Sequence, residues 1–272
     1  MNRDAFLIEA EELLTKIGNP NIRIYDATIL FYRSETDPTA YDHYLQGHIP
    51  GAAFFDHQQF SDANSKYMYM ILPEADLAAQ IGNVGIAEDS EVIIYTTDML
   101  PCATRAWWIL RYAGHNNVRV LNGGLAAWKV AGGEIEQDNQ QYAPAKFECQ
   151  LRPNMFASKD EVLQAMEAGD VCTVNTLTSE SYEAAHITGS SLLPCSDLMH
   201  EMASFVSENE IASRLKEEAQ HKRIITYCGG GIAATTNAMA HLMTGNKNVA
   251  VYDGSMDEWA GEGLPTTKGS KA

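Results

Sequence analysis

At 272 residues the chain is long enough for two domains, and its 45% hydrophobic and 20% charged content excludes a disordered or fibrous protein. Nineteen Lys and Arg against 36 Asp and Glu leave a net charge of −17 with no basic run, which opposes any general affinity for nucleic acid or an anionic membrane. No apolar segment approaches the roughly 18 residues that span a bilayer. The five cysteines are odd in number and scattered and the N-terminus is acidic, so a reducing cytoplasm is the expected compartment.

In chain order, short β-branched runs at Ile22–Asp26, Val92–Thr96 and Val118–Leu121 read as buried parallel strands. Helix-period segments lie among them at Leu77–Ile81, Thr104–Tyr112 and Leu125–Val130. A polar stretch within Gly133–Arg152 breaks both periods. The alternation then returns. Cys172–Asn175, Ile224–Tyr227 and Val249–Tyr252 are strand-like, while Ser158–Ala168, Ser207–Ala219 and Thr235–Met243 are helix-like. Ser158 with Glu161, and Ser207 with Glu210, have the spacing of capping boxes. This pattern predicts an α/β fold with parallel sheets.

The chain repeats itself. His48-Ile-Pro-Gly-Ala recurs 138 residues later as His186-Ile-Thr-Gly-Ser. Asn117-Val-Arg-Val-Leu-Asn-Gly-Gly-Leu-Ala-Ala-Trp128 recurs 131 residues later as Asn248-Val-Ala-Val-Tyr-Asp-Gly-Ser-Met-Asp-Glu-Trp259. A period of about half the chain indicates duplication rather than a solenoid. The expected division is a domain over 1–138, a linker over 139–152 and a second domain over 153–272.

The two copies differ at one strand end. The first reads Tyr95-Thr-Thr-Asp-Met-Leu-Pro-Cys, the second Tyr227-Cys-Gly-Gly-Gly-Ile-Ala-Ala. Only the second puts a cysteine straight after the strand with glycines behind it; Thr96 stands at that place in the first. Glycines let backbone N–H groups turn inward as a nest at a helix start, and such a nest favours a thiolate or a sulfur anion bound to it. Cys228 is therefore the candidate nucleophile, and the N–H groups of Gly229, Gly230, Gly231, Ile232 and Ala233 are the candidate binding cradle. Cys102 and Cys172 read as packing residues, and Cys149 and Cys195 carry no motif.

His48-Ile-Pro-Gly-Ala-Ala-Phe-Phe-Asp, Arg105-Ala-Trp-Trp-Ile-Leu-Arg, Val120-Leu-Asn-Gly-Gly-Leu-Ala-Ala-Trp and Tyr227-Cys-Gly-Gly-Gly-Ile together resemble the tandem-domain rhodanese family. That family contains thiosulfate and 3-mercaptopyruvate sulfurtransferases, and the match covers nearly the whole chain in order. The resemblance implies two five-stranded parallel sheets flanked by helices, an inactive first domain and a catalytic second one. It implies a small anionic sulfur donor, a persulfide on Cys228, a cyanide or thiol acceptor (a thioredoxin-like protein among them) and no metal or organic cofactor. His48 matches a family histidine expected to face the catalytic cleft and to help bind the donor. Arg105 and the tryptophans are expected to stabilise the fold.

Two departures bear on the donor. The family's Asp-x-Arg at a strand end is here Asn175-Thr-Leu177, and no Arg stands between Asn154 and Arg214. The loop after Cys228 is neutral, with Gly230 where a hydroxyl residue would stand. The related cysteine phosphatases need Arg six residues after the cysteine; Ala234 stands there, which argues against that chemistry. A non-catalytic sulfur- or protein-binding module is the competing expectation.

Overall fold

The computed structural model describes residues 2–270, and every statement below concerns those residues. The first half holds strands β1 (Leu7–Ile8), β2 (Ile22–Asp26), β3 (Ala52–Phe54), β4 (Glu91–Tyr95) and β5 (Val118–Leu121), all parallel, in the order β1-β5-β4-β2-β3. Helices α1 (Ala10–Leu14), α2 (Ala40–Gln46), α3 (Glu74–Asn83), α4 (Leu100–Tyr112) and α5 (Gly124–Val130) connect and flank them.

The second half repeats the plan. Strands β6 (Phe156–Ala157), β7 (Val171–Asn175), β8 (His186–Ile187), β9 (Ser191–Leu192), β10 (Met199–His200), β11 (Ser204–Phe205), β12 (Arg223–Tyr227), β13 (Val249–Tyr252) and β14 (Thr266–Thr267) follow in the chain. Five of them form a second parallel sheet in the order β6-β13-β12-β7-β9. The others pair as two short antiparallel ladders, β8 with β14 and β10 with β11. Helices α6 (Lys159–Ala165), α7 (Ser179–Ala184), α8 (Glu208–Arg214), α9 (Ala234–Met243) and α10 (Ser255–Gly261) complete this half. The α/β plan, two five-stranded parallel sheets flanked by helices, is the expected one.

The local chemistry explains the elements. In β4, Val92 and Ile94 face one core while Ile93 and Tyr95 face another, the period-2 alternation of a strand buried on both sides. Ser207 and Glu210 form a reciprocal capping box, and the Ser158 side chain accepts the Glu161 N–H. Helix α8 nevertheless stops at Arg214 and α6 at Ala165, short of the predicted spans. Edge strands such as β1 and β6 escape sequence reading because two residues show no period.

Helices α4 and α9 are duplicates of one another and form the middle layer between the sheets. Every residue of α4 from Leu100 to Leu110 is buried, so this helix shows no polar face. The Thr104 hydroxyl lies 2.7 Å from that of Thr235 and 3.1 Å from that of Thr236, joining the two helices at their centre. Their side chains merge into one core shared by both halves, with a smaller core on the outer face of each sheet.

Residues 139–152 carry no helix or strand, but they are strapped to the first half. The Tyr142 hydroxyl donates to the Gly51 carbonyl (2.6 Å) and accepts the Ile24 N–H (2.9 Å). The Gln150 and Arg152 N–H groups donate to the Ala113 and Tyr112 carbonyls, each at 2.9 Å. No helix among the described residues is long and apolar enough to cross a membrane.

Candidate active site at the end of strand β12

In open parallel sheets, ligands bind beyond the carboxyl ends of the strands. Strand β12 ends on Tyr227, whose hydroxyl is held by the Asn175 amide (3.1 Å), the Ile187 N–H (3.0 Å) and Ser190 (2.7 Å). Cys228 follows and is 2% exposed. Its neighbours are pinned by their carbonyls. Cys228 and Gly229 oxygens accept the Met256 and Asp257 N–H groups (3.0 and 2.9 Å) from the start of α10. The Gly231 oxygen accepts from the Arg105 guanidinium at 3.2 Å.

A trans peptide turns its N–H away from its carbonyl. Holding those three oxygens outward therefore turns the N–H groups of Gly229, Gly230 and Ile232 the other way. Among the described residues, no protein acceptor is bonded to these three or to the Ala233 N–H. The Cys228 and Gly231 N–H groups instead share one acceptor, the Ser255 hydroxyl, each at 3.1 Å. Gly231 has φ +75°, and a Cβ there would sit 2.6 Å from the Asp253 carbonyl, so this position requires glycine. Gly229 has open space around it, and Gly230 would meet only Met68 and Tyr69 at ordinary contact distance.

The first half of the chain covers this loop. Tyr69, at φ +59°, carries the segment Tyr67–Ile71 across it. The Met68 N–H donates to Asp257 (3.2 Å), the Ile71 N–H to Asp253 (2.7 Å), and the Tyr67 hydroxyl to Glu262 (3.0 Å). Arg105, on α4, donates to Asp253 at 2.6 Å and to the Tyr69 carbonyl at 2.6 Å while it holds Gly231. A single buried arginine thus ties the covering segment, the strand end and the cysteine loop together. The sequence read Arg105 as a stabilising residue; only the tertiary structure shows that what it stabilises is this loop.

Gly229, Gly230, Gly231, Ile232 and Ala233 are brought around Cys228 as expected. His48 is not brought there. Its ring contacts the Tyr44 carbonyl and Asp138, both in the first half and its extension, and none of its contacts is with the Cys228 loop. The expectation that His48 faces the donor fails because the turn after α2 folds it back onto that helix. Ser255, Tyr69 and Asp253 were missed. Ser255 stands opposite Gly124 in the aligned repeats, and that substitution was the available signal.

Three of the other four cysteines lack the surroundings of a nucleophile. Burial pushes the thiols of Cys102 and Cys195 up to about 12, and that of Cys149 up to about 11, so they stay protonated at neutral pH.

The rhodanese-like domain family matches residues 9–131 and 158–262. A thiosulfate sulfurtransferase of Bos taurus is 31% identical over 278 residues, covering 94% of this chain and 92% of the relative. A 3-mercaptopyruvate sulfurtransferase of Homo sapiens is 29% identical over 265 residues, covering 92% and 89%. The crystal structure of SseA from Escherichia coli, described as a 3-mercaptopyruvate sulfotransferase of rhodanese fold, superposes with a TM-score of 0.84 at 27% identity, covering 92% of this chain and 98% of that one. The chain belongs to the rhodanese-like domain family.

Proposed function

We propose that this member of the rhodanese-like family is a sulfurtransferase that carries a sulfane sulfur on Cys228 from thiosulfate or 3-mercaptopyruvate to a thiophilic acceptor. The observation that carries this reading is the loop of unbonded N–H groups beyond Cys228. The Cys228 thiolate attacks the outer sulfur of thiosulfate; the donor's S–S bond breaks and its electron pair leaves with sulfite. With 3-mercaptopyruvate the C–S bond breaks instead, and the leaving carbanion takes a proton to become pyruvate. Cyanide or a thiolate then attacks the outer persulfide sulfur, returning the Cys228 thiolate. Preorganised N–H donors stabilise the sulfur anion in both half-reactions.

The loop from Cys228 to Ala233 bears no cation, and the contacts of Arg105 are spent on Gly231, Asp253 and Tyr69. The loop itself then offers the donor backbone dipoles and no side-chain cation. They suit the single charge of 3-mercaptopyruvate better than the two charges of thiosulfate on a protein of net charge −17. We place the activity in the second domain (153–272), joined by the linker 139–152 to a non-catalytic first domain (1–138). The proposed setting is the cytoplasm, with a thiol such as a thioredoxin-like protein as acceptor.

Intact mass after separate incubation with each donor tests the reading. One added sulfur on the wild type and none on Cys228→Ser supports it, and the faster donor assigns the substrate. No addition from either donor overturns it and leaves a sulfur- or protein-binding module, which the missing donor-binding arginines favour.

A further inference from the structure

His48 is fully buried, and its ring stacks on Tyr44 at 4.2 Å between centroids. Nδ1 lies 2.8 Å from the Tyr44 carbonyl. A carbonyl only accepts, so Nδ1 carries the ring proton and a neutral imidazole presents its lone pair at Nε2. That lone pair faces Asp138 Oδ1 at 3.0 Å. A carboxylate also only accepts. Two acceptors at this distance need a cation between them, either a second ring proton or a metal ion.

Glu136 joins the same group. Its backbone bonds with that of His48 in both directions (2.9 and 3.0 Å), and its Oε2 accepts the Gly51 N–H at 2.8 Å. One ligand atom from each of His48, Glu136 and Asp138 lies within 4.8 Å of the others. Among the described residues no Lys or Arg pairs with Glu136 or Asp138. A ring proton would offset one of the two carboxylates; a divalent cation offsets both. The Asp138 side chain is 61% exposed, which leaves a path from solvent to the buried imidazole.

The second half supplies an internal control. His186 repeats the geometry, with Nδ1 at 2.8 Å from the Tyr182 carbonyl and its ring stacked on Tyr182 at 3.6 Å. Its strand partner, where Glu136 stands opposite His48, is Thr267, and two residues further on is Gly269. The imidazole orientation is therefore common to both copies, whereas the carboxylates occur only in the first. We propose that His48, Glu136 and Asp138 bind a divalent cation of the zinc class and so tie the segment just before the linker to the turn after α2. One imidazole nitrogen and two carboxylates suit such an ion, and the Tyr44 carbonyl orients the histidine as an outer partner does in metal sites.

The probe is Zn²⁺ alone, titrated by calorimetry into chelator-treated full-length protein carrying Cys228→Ser, which removes the competing thiolate. Expected is one equivalent bound, with affinity at least tenfold weaker in Asp138→Asn and in Glu136→Gln, and a Zn²⁺-dependent rise in Tm that both substitutions reduce. Both side chains are on the surface, so circular dichroism of the variants should match the parent. No binding, or binding that neither substitution weakens, overturns the proposal. In the first of these outcomes, ¹⁵N NMR finding a proton on His48 Nε2 would assign the contact to an imidazolium–carboxylate pair.

Discussion

The two halves build the same strand end twice and use it differently. Beyond β12 the N–H groups of Gly229 and Ile232 meet no protein acceptor. Beyond β4 their counterparts are taken: the Thr97 N–H donates to the Thr28 hydroxyl at 2.9 Å and the Leu100 N–H to the Met202 carbonyl at 2.9 Å. Gly124 at φ +55° stands where Ser255 stands at φ +49°, and a Cβ on Gly124 would lie 2.2 Å from the Thr96 carbonyl. The covering contact is duplicated as well. Tyr69 and Met202 both have positive φ, and the Ile71 N–H bonds Asp253 as the Phe205 N–H bonds Asn122. A cradle is thus made by leaving donors unsatisfied, and an inert turn is made by satisfying them.

The largest break in this comparison comes from exchanging the central residue. Cys228→Ser should take no sulfur from either donor and lose at least about 10³-fold in turnover, because a serine hydroxyl supplies no thiolate to attack the donor sulfur. Adding Thr96→Cys to that variant should not restore transfer, since its neighbouring donors are occupied; a sulfur found there by mass spectrometry would show that the open cradle is unnecessary.

Removing the arginine comes next. Arg105→Leu leaves Asp253 buried without its cation, which costs on the order of 3–5 kcal/mol in denaturant unfolding. Activity should fall with it, because Gly231 and the covering segment lose their common tie. An unchanged unfolding midpoint would remove Arg105 from this role.

The β2 and β7 ends sharpen the contrast through pH. Asp26 occupies the place of Asn175, and burial raises its carboxyl from 3.8 to about 6. As pH rises, the unfolded chain releases this proton first. Stability from this group is therefore present below about pH 4 and is lost as pH climbs to about 6, by roughly 3 kcal/mol at most. Asp26→Asn copies the second half and should flatten that part of the stability–pH curve. Parallel curves for the two proteins would contradict it.

The smallest effect is at Ser255. Ser255→Ala keeps the left-handed backbone and strips the shared acceptor from Cys228 and Gly231, whereas Ser255→Gly strips the acceptor but relieves the strain. Both should slow transfer, and the glycine variant should be more stable than the alanine variant by about 1 kcal/mol. Equal stabilities would mean that the backbone at this position is not strained.

Much of this was legible in the chain. The six central strands of five or four residues declare themselves because residues buried on both faces must be apolar and β-branched. Cys228 declares itself because one copy of a duplicated loop has kept a thiol and glycines that the other lacks. The rest depended on contacts between distant segments. Edge strands of two residues are defined by their partners, α8 ends where its packing ends, and Arg105 shows its role only beside Gly231, 126 residues away. His48 was misplaced for the same reason: the motif identifies the turn but not the direction in which the turn faces.

By itself the sequence determined the duplicated α/β plan, the strand-end cysteine and the lack of the family's Asp-x-Arg and of any cation in the loop after Cys228, because periodicity, repeat spacing and residue charge are local properties. The tertiary structure alone decided that the first half covers the second half's loop, that the loop's donors stay open, and that His48 meets Glu136 and Asp138 about 90 residues away rather than Cys228. Those outcomes turn on which backbone donors and acceptors find each other once the two halves pack, and no local pattern encodes that pairing.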